Sequence, residues 1–571
     1  MENITNNPVS INILHSGAAP IALSLARLAG IRKIVDQFTG WSPNNRSTSP
    51  GILAETLAAA ILCGCRPLYK VEHFWENKTI EIFYREDNIT AQQLHDDAYA
   101  RMLDKLASID CQRMFETICL TMLQHHNLDI VLTHSDTTSV SVEGLYELEK
   151  EASPEEFNIT YGHSKDHRPD LKQLKIGLST QQEGLPLSGE LLSGNKSDQI
   201  WNPQAVMELS NLLTERGYEK VVFLADCALI STESLLKLAQ QGVRFISRLP
   251  ETFKLAAELK EAAWSADAWE NLGQLAAVPT SKSSVYSAWK TSREIEGEKF
   301  GFVVVHSSNL EERKEKKLSK EVERVRKALC SKSSELKKQA FVCEADAFRS
   351  GEKLRKSVEK SGFDCEISVS KQEVIAYGSK GRPRRGSVPD ISISWYVEVR
   401  IGSMRETILE WKKRLASTFV LIYRLSEDKS GEEILRSYKN QDKVEQGFKF
   451  LKQPLNLGPV YTKKPERVKA LGYIFLIVLL LAKYLEYRVR VSMLQSGGIL
   501  KVGGQKVERP TAKTILEYLT EMSIMFIAGQ LLLPTNIPED VVKIIRWSGF
   551  DEQVYICGYS PDLFDKILPS K

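Results

Sequence analysis

The segment DIVLTHSD, residues 129–136, is rich in β-forming residues and ends in an aspartate. A second apolar run, VVFLAD at residues 221–226, ends in the same way. Residues 171–192 form two further runs of strand character around one turn, and helical patterns follow near 203–216 and at 231–242. Strands that alternate with helices predict an α/β sheet.

The acids that end the two apolar strands are Asp136 and Asp226. In α/β sheets, ligands bind beyond the carboxyl ends of the strands, so two carboxylates there suit a divalent cation. Oxygen ligands, without a cluster of cysteines or histidines in the sequence, favour Mg²⁺ or Mn²⁺ over zinc. An acid after a strand is also a common way to open a loop, and the pair alone does not decide between these interpretations.

A third acid is offered by YKNQDKVEQGFKFLK, residues 438–452. If this stretch is one continuous helix, an arc of roughly 80° contains Tyr438, Gln441, Glu445, Phe448 and Lys452. A carboxylate for metal, with a hydroxyl, an amide and an ammonium beside it for phosphate oxygens, would make a phosphoryl-transfer surface. Taken alone, the same pattern is typical of a solvent-exposed helix with lysine–glutamate pairs.

The remaining chain changes character at several points. Residues 1–127 read as short helices joined by turns, which suits a small DNA-binding module or a helical packing domain equally. A long charged helix near 310–340 and several strand-like runs interrupt the α/β rhythm. We predict a helical N-terminal domain at 1–127 and a C-terminal helical region at 496–571. Between them we predict a core in two parts, 128–250 and 420–495, with an inserted domain at 251–419.

Four motifs occur in order along the chain: THSDTTSVSVEG, YGHSKDHRPDLKQLKIGL, FLADCALIS and Y-x2-Q-x3-E-x6-K. Together they resemble the DDE transposases of bacterial insertion sequences, in particular insertion-sequence family four and its relatives. The resemblance implies an α/β, ribonuclease H-like catalytic core interrupted by a mostly β insertion domain, preceded by a helical N-terminal domain that binds DNA ends and followed by C-terminal helices. It implies that Asp136, Asp226 and Glu445 are catalytic and hold two Mg²⁺ ions, for which Mn²⁺ substitutes.

The family signature also implies roles for the neighbours of Glu445. Tyr438 and Lys452 match its tyrosine and lysine, and would hold the DNA backbone near the cut. Gln441 stands where the family has arginine, which removes a permanent charge and a bidentate fork for phosphate. Because glutamine still donates an amide hydrogen bond, we expect the phosphate contact to be weaker rather than absent.

Two further segments are rich in basic residues. His163, Lys165 and Arg168 lie just before the predicted strand pair, where they would contact DNA phosphates or order a polar turn at the sheet edge. Arg382 and Arg384 lie in SKGRPRRGS, whose GRPR core resembles an AT-hook that inserts arginines into the minor groove. A basic surface loop is the alternative for this short motif.

Composition limits the class of protein more than its function. The chain has 571 residues and a net charge of only +3, so a basic surface must be local. Nine scattered cysteines predict a reduced intracellular protein, and the N terminus has no signal-peptide pattern. The apolar run at 470–482 is shorter than the ~20 residues that span a bilayer, which predicts a buried core helix and no membrane partner.

The first functional hypothesis is a transposase that cleaves the ends of an insertion sequence and joins them to target DNA. The alternatives are a metal-dependent nuclease without strand transfer and an inactive relic that only binds DNA; the presence of all three acids argues against the relic. The expected partner is double-stranded DNA, both terminal inverted repeats and target. The resemblance also implies a homodimer in the synaptic complex and a nucleoid-associated protein of the bacterial cytoplasm.

Overall fold

A computed structural model describes residues 11–558, with gaps at 46, 66, 77, 79, 143–145, 147–156, 166–167, 276–282, 310–311, 377–389, 440–441, 453–463 and 528–529. The chain divides into two compact units. The first comprises Met1–Ser247, Tyr423–Asp428 and Ser437–Lys571, and the second comprises Arg248–Ile422 and Lys429–Arg436.

The elements up to the first unit boundary are β1 (Ile11–Leu14), α1 (Ala19–Leu28), α2 (Ile31–Phe38), α3 (Pro50–Leu62), α4 (Val71–Glu76), α5 (Ile80–Phe83), α6 (Asp96–Ala107), α7 (Cys111–His125), β2 (Leu132–Val142), β3 (Lys172–Gln181), β4 (Pro186–Ser193), α8 (Asp198–Glu215), β5 (Val222–Ala225), α9 (Thr232–Gln240) and β6 (Arg244–Arg248). They continue with α10 (Lys254–Ala266), β7 (Glu270–Gln274), β8 (Val285–Ile295), β9 (Glu298–Ser307), α11 (Glu312–Lys337), α12 (Glu344–Lys360), β10 (Phe363–Ala376), β11 (Asp390–Met404), α13 (Glu406–Ala416) and β12 (Thr418–Arg424). The last elements are α14 (Gly431–Lys439), α15 (Asp442–Leu451), α16 (Pro465–Ser496), β13 (Leu500–Val502), β14 (Gln505–Val507), α17 (Ala512–Leu519), β15 (Ile524–Ile527), β16 (Gln530–Leu532), α18 (Glu539–Trp547) and α19 (Val554–Cys557).

The first unit contains a mixed sheet in the order β4-β3-β2-β5-β6. The strands β2, β3 and β4 form an antiparallel meander, and β5 and β6 lie parallel to β2. The predicted α/β sheet is therefore confirmed, as is the strand pair predicted within residues 171–192.

Helices cover both faces of this sheet closely. On one face, a Cβ added at Gly177 would lie 2.2 Å from the ring of Trp201 in α8. On the other face, a Cβ at Gly189 would lie 2.8 Å from Leu476 in α16 and 3.2 Å from Phe115 in α7. Glycine is therefore required at both positions because a helix approaches the strand backbone directly.

The longest element of the first unit is α16, which contains the apolar run of residues 470–482. An 18-residue window within it has a mean hydropathy of 2.0, enough to cross a membrane by length and composition, yet 89% of that window is buried inside the protein. The helix packs against α3, α6 and α7 and against β4. This packing supports the predicted core helix.

The N-terminal helices belong to the same compact unit as the mixed sheet, because α16 contacts both. In addition, β1 pairs with β15, so that segments from the two ends of the chain share a three-stranded sheet. The C-terminal region thus contains four short strands as well as the predicted helices, and Pro538 caps α18. The functional labels on the predicted domains stay predictions.

The second unit contains a sheet in the order β12-β9-β8-β7 and a separate two-stranded ribbon of β10 and β11. The prediction of a mostly β insertion is wrong, since α11 and α12 alone contribute 26 and 17 residues. The reason lies in the sequence of α11, where Val322, Val325 and Leu329 recur at helical spacing and pack against the ribbon.

The tryptophans of the second unit lie mostly in one aromatic cluster. The ring of Trp264 lies 4.9 Å from Trp269, 5.0 Å from His306 and 6.4 Å from Trp411. The Arg414 guanidinium lies over the Trp264 ring at 5.3 Å. The rings pack on one another without being buried in a core, since Trp264 and Trp269 are half-buried and Trp411 is exposed.

Candidate active site

Asp136 and Asp226 lie side by side at the end of the parallel pair of strands. The ladder between β2 and β5 runs from Leu132↔Val222 to Ser135↔Ala225, and each aspartate is the next residue on its strand. However, Asp136 does not end β2, because the strand continues to Val142 through pairing with β3. The predicted strand end is therefore wrong for Asp136, although the parallel ladder stops there.

Buried donors fix the Asp226 carboxylate. Its Oδ1 accepts hydrogen bonds from the Ala228 backbone N–H at 2.9 Å and from Nδ2 of Asn202 at 3.1 Å. Asn202 comes from α8 and is fully buried. Burial raises the pKa of Asp226, while the Ala228 N–H and the Lys165 ammonium oppose that rise.

The Asp136 carboxylate accepts a hydrogen bond from the Thr137 backbone N–H at 2.7 Å, and its Oδ1 lies 3.6 Å from Nζ of Lys165. Burial raises its pKa to about 6, and the neighbouring carboxylates of Asp226 and Asp198 add to that rise. Lys165 opposes it. Two adjacent, desolvated carboxylates in need of positive charge are a suitable ligand pair for a divalent cation.

Lys165 is the centre of a polar network that sequence reasoning did not find. Its Nζ donates to the carbonyl oxygen of Thr137 at 2.6 Å and to the Thr137 hydroxyl at 3.0 Å, and lies 3.4 Å from Oδ2 of Asp198. Asp198 in turn lies 2.9 Å from Nζ of the buried Lys175. These contacts agree with the interpretation that Lys165 orders a polar turn at the sheet edge. Its contact with DNA phosphates stays a prediction.

Asp198 is the residue of this network with the clearest electrostatic role. Burial acts to raise its pKa, but the hydrogen bond from Lys175 and the charge of Lys165 outweigh burial and lower the pKa. The carboxylate therefore stays ionised and neutralises both ammonium groups. Its position in the first turn of α8 gives no sequence signal beyond that of an ordinary helix start.

Glu445 lies on α15, which packs on the face of the sheet that carries Asp136. A Cβ at Gly447 would lie 3.0 Å from the side chain of Leu178, and Leu178 is the register partner of Asp136. Partners across antiparallel strands present their side chains on the same face. Val444 is buried and Glu445, about 100° further around the helix, is exposed. The helix that carries Glu445 therefore packs on the face of Asp136, while Glu445 itself lies about 160° around α15 from Gly447, on the exposed side of the helix.

The predicted helix over residues 438–452 is described in two parts, α14 up to Lys439 and α15 from Asp442. Residues 440–441 lie outside the described residues, so the single helix, and with it a shared face for Tyr438 and Glu445, stays a prediction. Gln441 lies outside the described residues. Lys452 follows α15, half-buried, with its backbone N–H bonded to the Phe448 carbonyl oxygen at 2.9 Å.

The other predicted DNA-binding residues lie in different settings. The carbonyl oxygen of His163 accepts a hydrogen bond from Nε2 of Gln173 at 3.3 Å, which ties this segment to β3. Arg168 forms a two-pronged pair with Asp170, at 2.9 and 2.7 Å. Arg382 and Arg384 lie outside the described residues. No described contact tests the DNA roles of these residues.

Among the described residues, only His95, Asp96 and Asp97 bring three ligand atoms within 4.8 Å of one another. This group lies at the start of α6, and its two aspartates are exposed. The three predicted metal ligands are spread more widely. In this structure the cationic group next to Asp136 is the Lys165 ammonium.

Residues 19–120 match a family model described as a domain of unknown function, DUF4277, and no curated protein matches the chain. Among solved structures, the Mos1 transposase paired-end complex with left transposon end is 14% identical over 29% of this chain and 56% of that chain, with a TM-score of 0.15. The Mos1 mariner paired-end complex with Mn is 15% identical over 31% and 59%, with a TM-score of 0.15. A pre-cleavage Mos1 transpososome is 11% identical over 36% and 61%, also at 0.15.

This chain spans about three fifths of the length of the Mos1 chains that it matches. At a TM-score of 0.15 the likeness carries no argument about fold or activity. The family match lies in the N-terminal helices, outside the candidate site.

Proposed function

We propose that this protein is a DDE transposase that cleaves the ends of an insertion sequence and joins them to target DNA. The observation that carries the proposal is the position of Asp136 and Asp226 side by side, with α15, the helix that contains Glu445, packed on the face of the sheet that carries Asp136. The mixed sheet of the first unit is compatible with the ribonuclease H-like core that the sequence motifs imply.

Asp136, Asp226 and Glu445 would hold two Mg²⁺ ions, with Mn²⁺ able to replace them. In both aspartates the described contacts fall on Oδ1, and among the described residues Oδ2 accepts no hydrogen bond in either case. One oxygen thus orients each carboxylate and the other is available to a metal. When bound, the ions supply an activated hydroxyl and stabilise the leaving oxygen in an in-line displacement.

The surrounding residues would position rather than react. Asn202 and the Ala228 N–H hold Asp226 in one orientation, and Lys165 holds Asp136 through a contact that also involves Asp198. Tyr438, Gln441 and Lys452 would hold the DNA backbone, as would His163, Arg168, Arg382 and Arg384 further away. Double-stranded DNA is the partner in this proposal, and a homodimer would bring two DNA ends together.

The test is a cleavage and joining assay with Mg²⁺ and a plasmid that carries the DNA flanking the gene. Wild type should nick this DNA and join the ends to a target. Asp136→Ala, Asp226→Ala and Glu445→Ala should bind DNA without cutting it. Asp540→Ala, which removes an exposed aspartate of α18 that pairs with Lys543, is the matched control and should retain activity.

Two results would separate the alternatives. Cleavage without any joined product would identify a nuclease rather than a transposase. Cleavage that survives Glu445→Ala would show that α15 does not supply the third ligand, and would overturn the proposed triad.

A further inference from the structure

Two helices of the second unit, α11 and α12, pack on the same face of the β10–β11 ribbon. Leu329 of α11 and Val358 of α12 share one apolar cluster with Phe363 of β10. Cys365 and Ile401, which are paired across the ribbon, pack against the same cluster. Residues of both helices that face away from this cluster are exposed.

The open side of α11 is basic. Four exposed residues lie within an arc of roughly 80°, opposite the apolar stripe, and span ~15 Å along the helix: Lys317, Lys320, Arg324 and Lys327. The helix as a whole contains ten lysines and arginines and five glutamates, a net +5 that exceeds the +3 of the entire chain. The rest of the chain therefore has a net charge of −2, from +3 minus +5.

The open side of α12 continues this pattern. Lys353, Lys356 and Lys360 are exposed and fall within an arc of roughly 60°, opposite Leu354 and Val358. Because the two helices lie against the same face of the ribbon, their basic rows are exposed on one side of the unit. We call the seven residues of the two rows the basic helix face.

Three acids of the two helices pair with arginines outside the basic helix face. On α11, Glu323 pairs with Arg326 at 3.9 Å. On α12, Glu352 and Glu359 both pair with Arg355, at 3.1 and 3.6 Å. Among the described residues, none of the seven side chains of the basic helix face takes part in an ion pair or hydrogen bond. Their charges are available to an external partner.

We propose that the basic helix face binds the phosphate backbone of double-stranded DNA without reading its sequence. This inference rests on the proposed function only for the choice of DNA as the polyanion. Duplex DNA carries one negative charge per ~1.7 Å of its axis, counted over both strands, so ~15 Å of duplex carries about nine phosphate charges. The face contains no aromatic or amide side chain to read bases and no apolar one to enter a bilayer.

The test uses the full-length protein and a fluorescent 30-base-pair duplex of arbitrary sequence, in EDTA so that nothing is cut. Affinity is measured between 50 and 200 mM KCl for wild type and for the combined variant Lys317→Gln, Lys320→Gln, Arg324→Gln, Lys327→Gln. Each lost phosphate contact should reduce the slope of log K against log salt by about 0.9, or about 3.6 in all. The advantage of wild type over the variant should then shrink about 150-fold across this range.

The matched control removes an equal number of charges, three lysines and one arginine, from exposed positions of the first unit. Its substitutions are Lys220→Gln, Lys501→Gln, Lys506→Gln and Arg216→Gln. All positions are exposed, so circular dichroism and the thermal midpoint should be unchanged in both variants. The proposal is overturned if the salt slope stays at the wild-type value, or if the control lowers it equally. A loss of binding to phosphatidylserine vesicles with an unchanged DNA slope would also overturn it, in favour of a membrane surface.

A parallel incubation with Mg²⁺ and the flanking DNA separates this inference from the proposed function. A reduced slope in the variant, with no cutting by wild type, would support the basic helix face and contradict the transposase. Cutting by wild type with an unchanged salt slope in the variant would support the transposase and contradict the basic helix face.

Discussion

Replacing Glu55 with glutamine should stabilise the N-terminal helices at pH 8 and leave their stability almost unchanged at pH 4. Glu55 lies in α3, is 1% exposed, and accepts a hydrogen bond from the Tyr84 hydroxyl at 2.7 Å. Burial raises the pKa of its carboxyl from 4.5 to about 6, against the opposing effects of Arg27 and of the Tyr84 hydrogen bond.

The sign follows from the two pKa values. The folded protein holds the Glu55 proton more tightly than the unfolded chain, so this contribution to stability is complete below about pH 4.5 and is lost as the pH rises through about 6. A difference of about 1.5 pKa units corresponds to about 2 kcal/mol. Glutamine keeps an oxygen for Tyr84 but has no charge to desolvate, so Glu55→Gln should recover about 2 kcal/mol at pH 8.

Hydrogen–deuterium exchange of peptides from Pro50–Leu62 measures the local free energy of opening, which is suitable for a chain with more than one compact unit. Wild type and variant are compared at the same pH, so that intrinsic exchange rates cancel. Glu81→Gln removes an exposed glutamate from the same unit and should show no pH-dependent difference. Equal effects of Glu55→Gln at pH 4 and pH 8 would refute the reasoning.

Three further substitutions test other parts of the first unit. Gly177→Ala places a methyl group 2.2 Å from the Trp201 ring, and this overpacking should lower the free energy of unfolding by about 3 kcal/mol. An unchanged calorimetric midpoint would contradict the close approach of α8. Asp198→Asn leaves the buried Lys175 ammonium without its carboxylate, which should lower the free energy of chemical unfolding by about 3 kcal/mol and reduce DNA cleavage. Full cleavage activity would show that the network does not position Asp136. Gln441→Arg restores a bidentate phosphate fork and should raise excision, and an unchanged excision frequency would remove the phosphate role from position 441.

The sequence was sufficient to predict elements whose pattern is local. The apolar run before Asp226, the strand pair within 171–192 and the core helix around 470–482 each carry their signal within a few residues. Asp136 was harder to place, because an acid suggests the end of a strand. Pairing with β3 nevertheless extends β2 to Val142, and only the tertiary structure shows that the parallel ladder alone ends at the aspartate.

Contacts between distant segments could not be predicted from spacing. Lys165 reaches Thr137 and Asp198 because the turn before β3 and the start of α8 meet at the sheet, and neither segment has a pattern that implies the other. In the second unit, the helical spacing of α11 was visible, but its packing on the ribbon was not.

The position of α16 also has a consequence for synthesis of the chain on the ribosome. The N-terminal helices that pack on it end at His125, whereas α16 begins at Pro465, roughly 340 residues later. At about 5–20 residues per second, translation takes roughly 20 to 70 s to cover that distance. A nascent chain therefore carries uncovered apolar surface for most of its synthesis, which makes it a client for chaperones, and a truncated product never acquires the helix that covers that surface.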